Sequence, residues 1–182
     1  MNDVDYLDRF MQGMAAAAHL LNKAIEKRSA LECIVLQASL IDGSLRVGLI
    51  LRKQLQMETN AIDITLLKQA DGDQKISERT VYQRCRDTNV IDEELLQALS
   101  EAYEKRNKCI HRYLLSEINY DFATSLVFEL DALLDRVRDV IWCLEKEQID
   151  KGVGMTVNGS SMSKELLREY ASRKEKSYNL GS

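Results

Sequence analysis

Along most of the chain, apolar residues recur at alternating steps of three and four, the spacing that lays one stripe along a helix facing a core. Leu7, Phe10, Met14, Ala17, Leu21 and Ile25 predict a first helix over residues 3–27, with an acidic start that suits the helix dipole. Ser29-Ala30-Leu31-Glu32 reads as a capping box opening a second helix over residues 30–56. On that helix Leu31, Ile34, Val35, Ala38, Ile41, Leu45 and Leu49 are expected to be buried. Gln37, Asp42 and Arg46 carry its polar groups, while Gly43 and Gly48 cost helix propensity and permit a neighbour to approach closely.

Over residues 58–76 the rhythm weakens. Ile62, Ile64, Leu66 and Leu67 fit either a short helix or an extended piece, and Asp71-Gly72-Asp73 reads as a turn. Ser77 is the expected cap of a short helix running to Asp87, with Val81 and Cys85 inward and Arg79, Arg84 and Arg86 giving a basic side. Asp92, followed by Glu93 and Glu94, caps the next helix. After a turn at residues 119–121, the stripe Phe122, Leu126, Leu130, Leu133, Val137, Val140 and Leu144 predicts a long helix to residue 148, with Trp142 beside the stripe. Lys151-Gly152-Val153-Gly154 ends it; a short amphipathic helix is expected over residues 164–174, and Tyr178 to Ser182 should fray.

The chain has 182 residues, no proline and only eight glycines, so it lacks the punctuation of an all-β protein. The expectation is an all-α antiparallel helical bundle over residues 1–150, carrying a less regular insertion, then a linker and helical tail over 151–182. No run of apolar residues approaches the roughly 20 needed to cross a bilayer. The opening Met1-Asn2-Asp3-Val4-Asp5 is acidic where a signal peptide is basic, which predicts a cytoplasmic protein. Cys33, Cys85, Cys109 and Cys143 are scattered, with no CxxC pair, and His19 and His111 are isolated. Packed reduced thiols are expected rather than a metal site. The net charge of −4 argues against a protein coated for nucleic acid, but not against a local basic cleft.

One stretch departs from the pattern. Leu95, Leu99, Ala102, Arg106, Cys109 and Tyr113 form a core-facing row, and Leu96, Leu99, Tyr103, Asn107, Ile110 and Leu114 run beside it. Arg106 and Asn107 therefore stand where apolar residues belong. Burying an unpaired guanidinium costs several kcal/mol. Either an internal carboxylate such as Asp42 or Glu129 meets Arg106, or the row lines a cleft that binds an anion. Lys105, Lys108 and Arg112 extend a basic knot that also suits a solvated helix surface. Asn107 and His111, four apart, share a face. Arg106 and His111, five apart, lie about 140° apart around a straight helix. The helix must break near Arg106, or the two must cooperate across a two-fold axis.

The residues Arg106-Asn107-Lys108-Cys109-Ile110-His111-Arg112-Tyr113 match Arg-x4-His-x-Tyr with asparagine after the arginine, and this resembles the HEPN superfamily, in particular the HEPN toxins paired with nucleotidyltransferase antitoxins. The resemblance covers residues 3–148 and leaves out the 58–76 insertion and the tail. It implies a metal-independent endoribonuclease without cofactors, acting on RNA as a homodimer with both motifs facing one cleft, as a toxin or phage-defence effector. His111 would be the general base or acid, since imidazoles titrate near neutrality. Arg106 would hold the phosphate with its planar fork of donors, and Asn107 would orient His111 or hold the phosphate. Lys105, Lys108 and Arg112 would bind RNA, and Tyr113 matches the tyrosine that such antitoxins modify with AMP. A polar helper from another helix is expected, and no residue identifies itself as that helper. The competing expectation is a catalytically silent helical module that docks RNA or protein on the same surface.

Overall fold

The computed structural model describes residues 2–68, 75–115 and 118–158, and its regular structure is helical: α1 (Asp3–Glu26), α2 (Ala30–Met57), α3 (Glu78–Asp87), α4 (Glu93–His111), α5 (Tyr120–Lys151) and a final turn of helix, α6 (Met155–Asn158). The insertion contributes a 3-10 turn at Ile64–Leu66, and another, Tyr113–Leu115, follows α4. The expected Asp71-Gly72-Asp73 turn, the 164–174 helix and the fraying end lie outside the described residues.

Four side chains start helices, two of them, Ser77 and Asp92, as the sequence predicts. Ser77, Asp92 and Asn119 accept the amides of Thr80, Leu95 and Phe122, and Asn2 forms a reciprocal capping box with Asp5. Ser29 does not: it makes no side-chain cap bond. Its ψ is 85°, whereas the four bonded caps have ψ of 157–177°. The preceding Arg28 has a positive φ of 55°, and this tight turn out of α1 leaves Ser29 away from the extended geometry that a cap needs. At the far end, Gly152 (φ 67°) closes α5 in the left-handed conformation that suits glycine.

The long helices pack as a bundle whose consecutive members run antiparallel, α1 against α2 and α4 against α5. The central pair, α2 and α5, runs parallel. Gln37 reaches Asp131 at 3.3 Å near one end, and Gln148 reaches Gln54 at 2.9 Å near the other; both pairs are 94 residues apart in sequence. Between them Gly48 lets Ile141 and Val90 come so close that a Cβ there would stand 2.7 and 3.0 Å from their methyl groups. Helix α4 runs antiparallel to α5, with Lys105 against Glu129 and Glu94 against Arg136, and so returns the chain for α5 to run in the direction of α2.

Burial around α2 explains its composition. Ile34, Ile41, Leu45, Ile50 and Leu51 are enclosed, joined by Gln37 and Gln54. It is the one described helix long and apolar enough to cross a membrane, a point against the sequence expectation that no such run exists, but most of its apolar stretch lies inside the bundle. Two other expectations fail at one end of the molecule: Leu31 and Val35 are exposed, and on α1 Ala24 takes the buried place expected for Ile25. Elsewhere the stripes hold, with Leu126, Leu130, Leu133, Val137 and Leu144 of α5 buried and His19 exposed.

Candidate functional site

Helix α4 is unbroken from Glu93 to His111, so Arg106 through His111 lie on one helix, and Arg112 and Tyr113 follow it. Leu95, Leu99, Ala102 and Cys109 are buried, so Arg106 occupies the core-facing row as its spacing requires. The cation is met by Glu78, the first residue of α3, in an ion pair through its Nη2. The carboxylates anticipated for this task are engaged elsewhere: Asp42 pairs with Arg46 at 2.7 Å, and Glu129 takes Lys105 at 2.7 Å. The Arg106 guanidinium also lies 4.8 Å from the centre of the Tyr103 ring, and Arg79 lies 4.9 Å from the same ring, a cation–π pair of contacts. Tyr82 meets Tyr103 edge-on and its hydroxyl lies 3.5 Å from the Glu78 carboxylate.

The surroundings of Glu78 pull its carboxyl in two directions. Burial, the largest effect, raises its pKa; Arg106 draws it down and the charge of Asp42 raises it again, and the balance is a carboxyl held above the usual range. Beneath the ion pair, against Ala38, Ile41 and Leu99, is a cavity with room for about one water. A nucleotide cannot enter there, so any anion must approach Arg106 from the open side.

That open side exists because α3 begins at Glu78. On α2, Asp42 and Arg46 lie under α3 and the insertion, where Arg46 donates to the carbonyls of Leu66 and Ile76, whereas Val35 and Ser39 on the same flank are exposed. On α4, Ile110 lies one turn beyond Arg106 and is 37% exposed despite its place beside the core row. Val35, Ser39 and Ile110 are thus exposed toward the end of the bundle that α3 does not reach, while the Glu78–Arg106 pair stands at the start of α3. The same end of the bundle carries exposed Leu20, Ile25, Leu31, Leu115 and Tyr120.

The remaining motif residues distribute around this end. Asn107 is half-buried and His111 exposed, one turn apart on one side of α4; Lys108 and Arg112 are exposed, and Tyr113 is half-buried in the 3-10 turn. Lys105 faces α5 and is neutralised by Glu129. The basic side expected of α3 is not an open extension of the cleft: Arg79 pairs with Glu104 and Arg86 with Glu93 at 2.8 Å, and Arg84 lies in a separate groove with Lys53 and Asp63. No group of His, Cys, Asp and Glu suited to a metal ion occurs among the described residues. Sequence reasoning missed Glu78 and Tyr103 as neighbours of Arg106. Tyr103 stands three residues before Arg106, a spacing that signals contact on a helix, whereas only the tertiary fold brings Glu78 there. Compared with known proteins, the chain matches no family model, no curated protein and no solved structure.

Proposed function

We propose that this chain is a metal-independent endoribonuclease that acts as a homodimer, a toxin or defence effector of the kind its Arg106-to-Tyr113 motif resembles. The observation that carries this reading is the continuity of α4. Without a break, Arg106 and His111 are held on different sides of one helix, so a single chain cannot turn both toward one phosphate. A second copy related by a two-fold axis can supply the missing partner, and the uncovered apolar side chains beside the motif suit such a contact.

In that site the 2′-hydroxyl of the RNA would lose its proton to one His111 as its oxygen attacks the adjacent phosphorus. The 5′-oxygen would leave with a proton returned by an imidazole, giving a 2′,3′-cyclic phosphate and a free 5′-hydroxyl. Arg106 would stabilise the charge gathering on the phosphate oxygens, and Asn107 would fix the imidazole one turn away. Lys108 and Arg112 would draw the RNA backbone to this end, and modification of Tyr113 by a nucleotidyltransferase antitoxin would block it.

One observation favours the second reading, a catalytically silent module that binds RNA or protein: within one chain Arg106 and Lys105 are already neutralised by carboxylates. Incubating the full chain with RNA in EDTA separates the two. Cleavage to cyclic-phosphate ends that is lost in a folded His111→Ala variant supports the nuclease; intact RNA that stays bound supports the module.

A further inference from the structure

Glu78 stands where the anion of a ligand would stand. Its carboxylate takes the Arg106 guanidinium at the start of α3, and the two side chains are 14% (Arg106) and 26% (Glu78) exposed, so an anion in solution can reach the pair. Arg106 does not depend on Glu78 alone for its position, because the face of Tyr103 supports the guanidinium from the same helix. Glu78 is also poorly placed for an anion. From α2 the charge of Asp42, tied to Arg46, bears on it; from its own helix it has Tyr82 and the neighbouring Arg79; from α4 it has Arg106. Burial and the Asp42 charge together work against its ionised form more than Arg106 and Tyr82 work for it. A phosphodiester carries its charge at any pH near neutrality and offers two oxygens to a guanidinium.

We propose that Glu78 is a built-in competitor for the anion site of Arg106, so that an RNA phosphate binds by displacing the carboxylate and the closed pair is the resting state of the site. The exchange trades one charge-assisted contact for another and leaves the fold of α4 untouched. It sets a threshold on RNA binding, because the cost of opening the pair is subtracted from the affinity for every ligand. This inference rests on the reading of RNA as the ligand.

The test is binding of a single-stranded 2′-O-methyl oligoribonucleotide, which lacks the attacking hydroxyl, followed by fluorescence anisotropy at fixed salt. Glu78→Gln should bind about tenfold more tightly than the natural chain, and the gain should vanish when Arg106→Ala is added. Glu101→Gln, the same charge change at a distant site on α4, should give a smaller gain. Glu78→Asp, which keeps the charge and shortens the reach, should move in the same direction by less, and it serves as the test if Glu78→Gln does not fold. Glu78→Gln binding no more tightly than Glu101→Gln, or Glu78→Asp binding no more tightly than the natural chain, overturns the proposal. If Arg106→Ala still weakens binding in that case, only the competitor role falls. If Arg106→Ala changes nothing either, RNA as the ligand of Arg106 falls with it.

Discussion

Gln148 donates to Gln54 at 2.9 Å in a contact where both side chains are fully buried, 94 residues apart in the chain. The pair ties four segments together: α2, the start of the insertion, α5 and α6. Gln148 also donates to the Leu51 carbonyl and accepts from Thr156, while Gln54 donates to the Asn60 and Ala61 carbonyls and accepts from the Met155 amide. Gln148→Ala leaves several of these buried groups unpartnered and opens space in the core, and it should cost about 3 kcal/mol. Lys151→Ala, which removes only an exposed pair with Glu147, should cost no more than about 0.5 kcal/mol. Urea unfolding midpoints of the two variants check the contrast.

Glycines in helix interiors give a second contrast. At Gly13 a Cβ meets nothing within 4 Å, so Gly13→Ala should stabilise the protein by about 0.5–1 kcal/mol through helix propensity alone. At Gly48 the Cβ would press on Val90, itself buried, and on Ile141. There the same substitution should lose that gain and destabilise by about 1–2 kcal/mol. Opposite shifts in melting temperature are the expected outcome.

The thiols should react in order of burial. Cys143 is exposed, whereas Cys33, Cys85 and Cys109 are buried. Burial raises the pKa of all three, and Cys85, which donates to the Leu45 carbonyl at 3.6 Å, is pushed up to about 12. Under native conditions iodoacetamide should label Cys143 first, and Cys85 only on unfolding. Peptide mapping after brief labelling checks it; early labelling of Cys85 would contradict the packing of α3 on α2.

The raised carboxyl of Glu78 fixes a sign for pH. Between the ordinary glutamate pKa and the raised one, the folded chain holds a proton that the unfolded chain has lost. The contribution of this group to stability is therefore full below the ordinary value and is lost as pH rises through the raised one. Glu78→Gln keeps an acceptor for Arg106 and has no such loss. Its melting temperature relative to the natural chain should rise as pH increases from about 4 and level off once Glu78 is ionised. A difference that stays flat with pH would contradict the burial of that carboxylate.

Much of this fold was legible because it rests on local rules. Helix stripes and the caps Ser77 and Asp92 depend on residues within one or two turns, and they fall where the spacing puts them. The failures have tertiary causes. Ser29 has the right residue type for a cap, but the turn at Arg28 denies it the backbone geometry. Leu31 and Val35 sit on a regular apolar stripe, but α3 starts too late in the chain to cover them. Periodicity likewise shows that Arg106 faces inward without showing what it meets. Glu78 is 28 residues away, on a helix whose own sequence marks it only as an acidic first turn. The parallel run of α2 and α5 is equally silent in the pattern, since a stripe fixes the face of a helix and not its direction.

The nuclease reading depends most on two chains sharing one site, and mixing two inactive variants measures this directly. Arg106→Ala and His111→Ala are each expected to lack RNA cleavage as homodimers. Mixed, unfolded and refolded together at equal amounts, they form heterodimers in which one of the two composite sites keeps both its arginine and its histidine. Activity should return to about a quarter of that of the natural chain, because about half the dimers are mixed and each has one intact site. A mixture as inactive as either variant alone, with heterodimers demonstrably present, would contradict a site built from both chains.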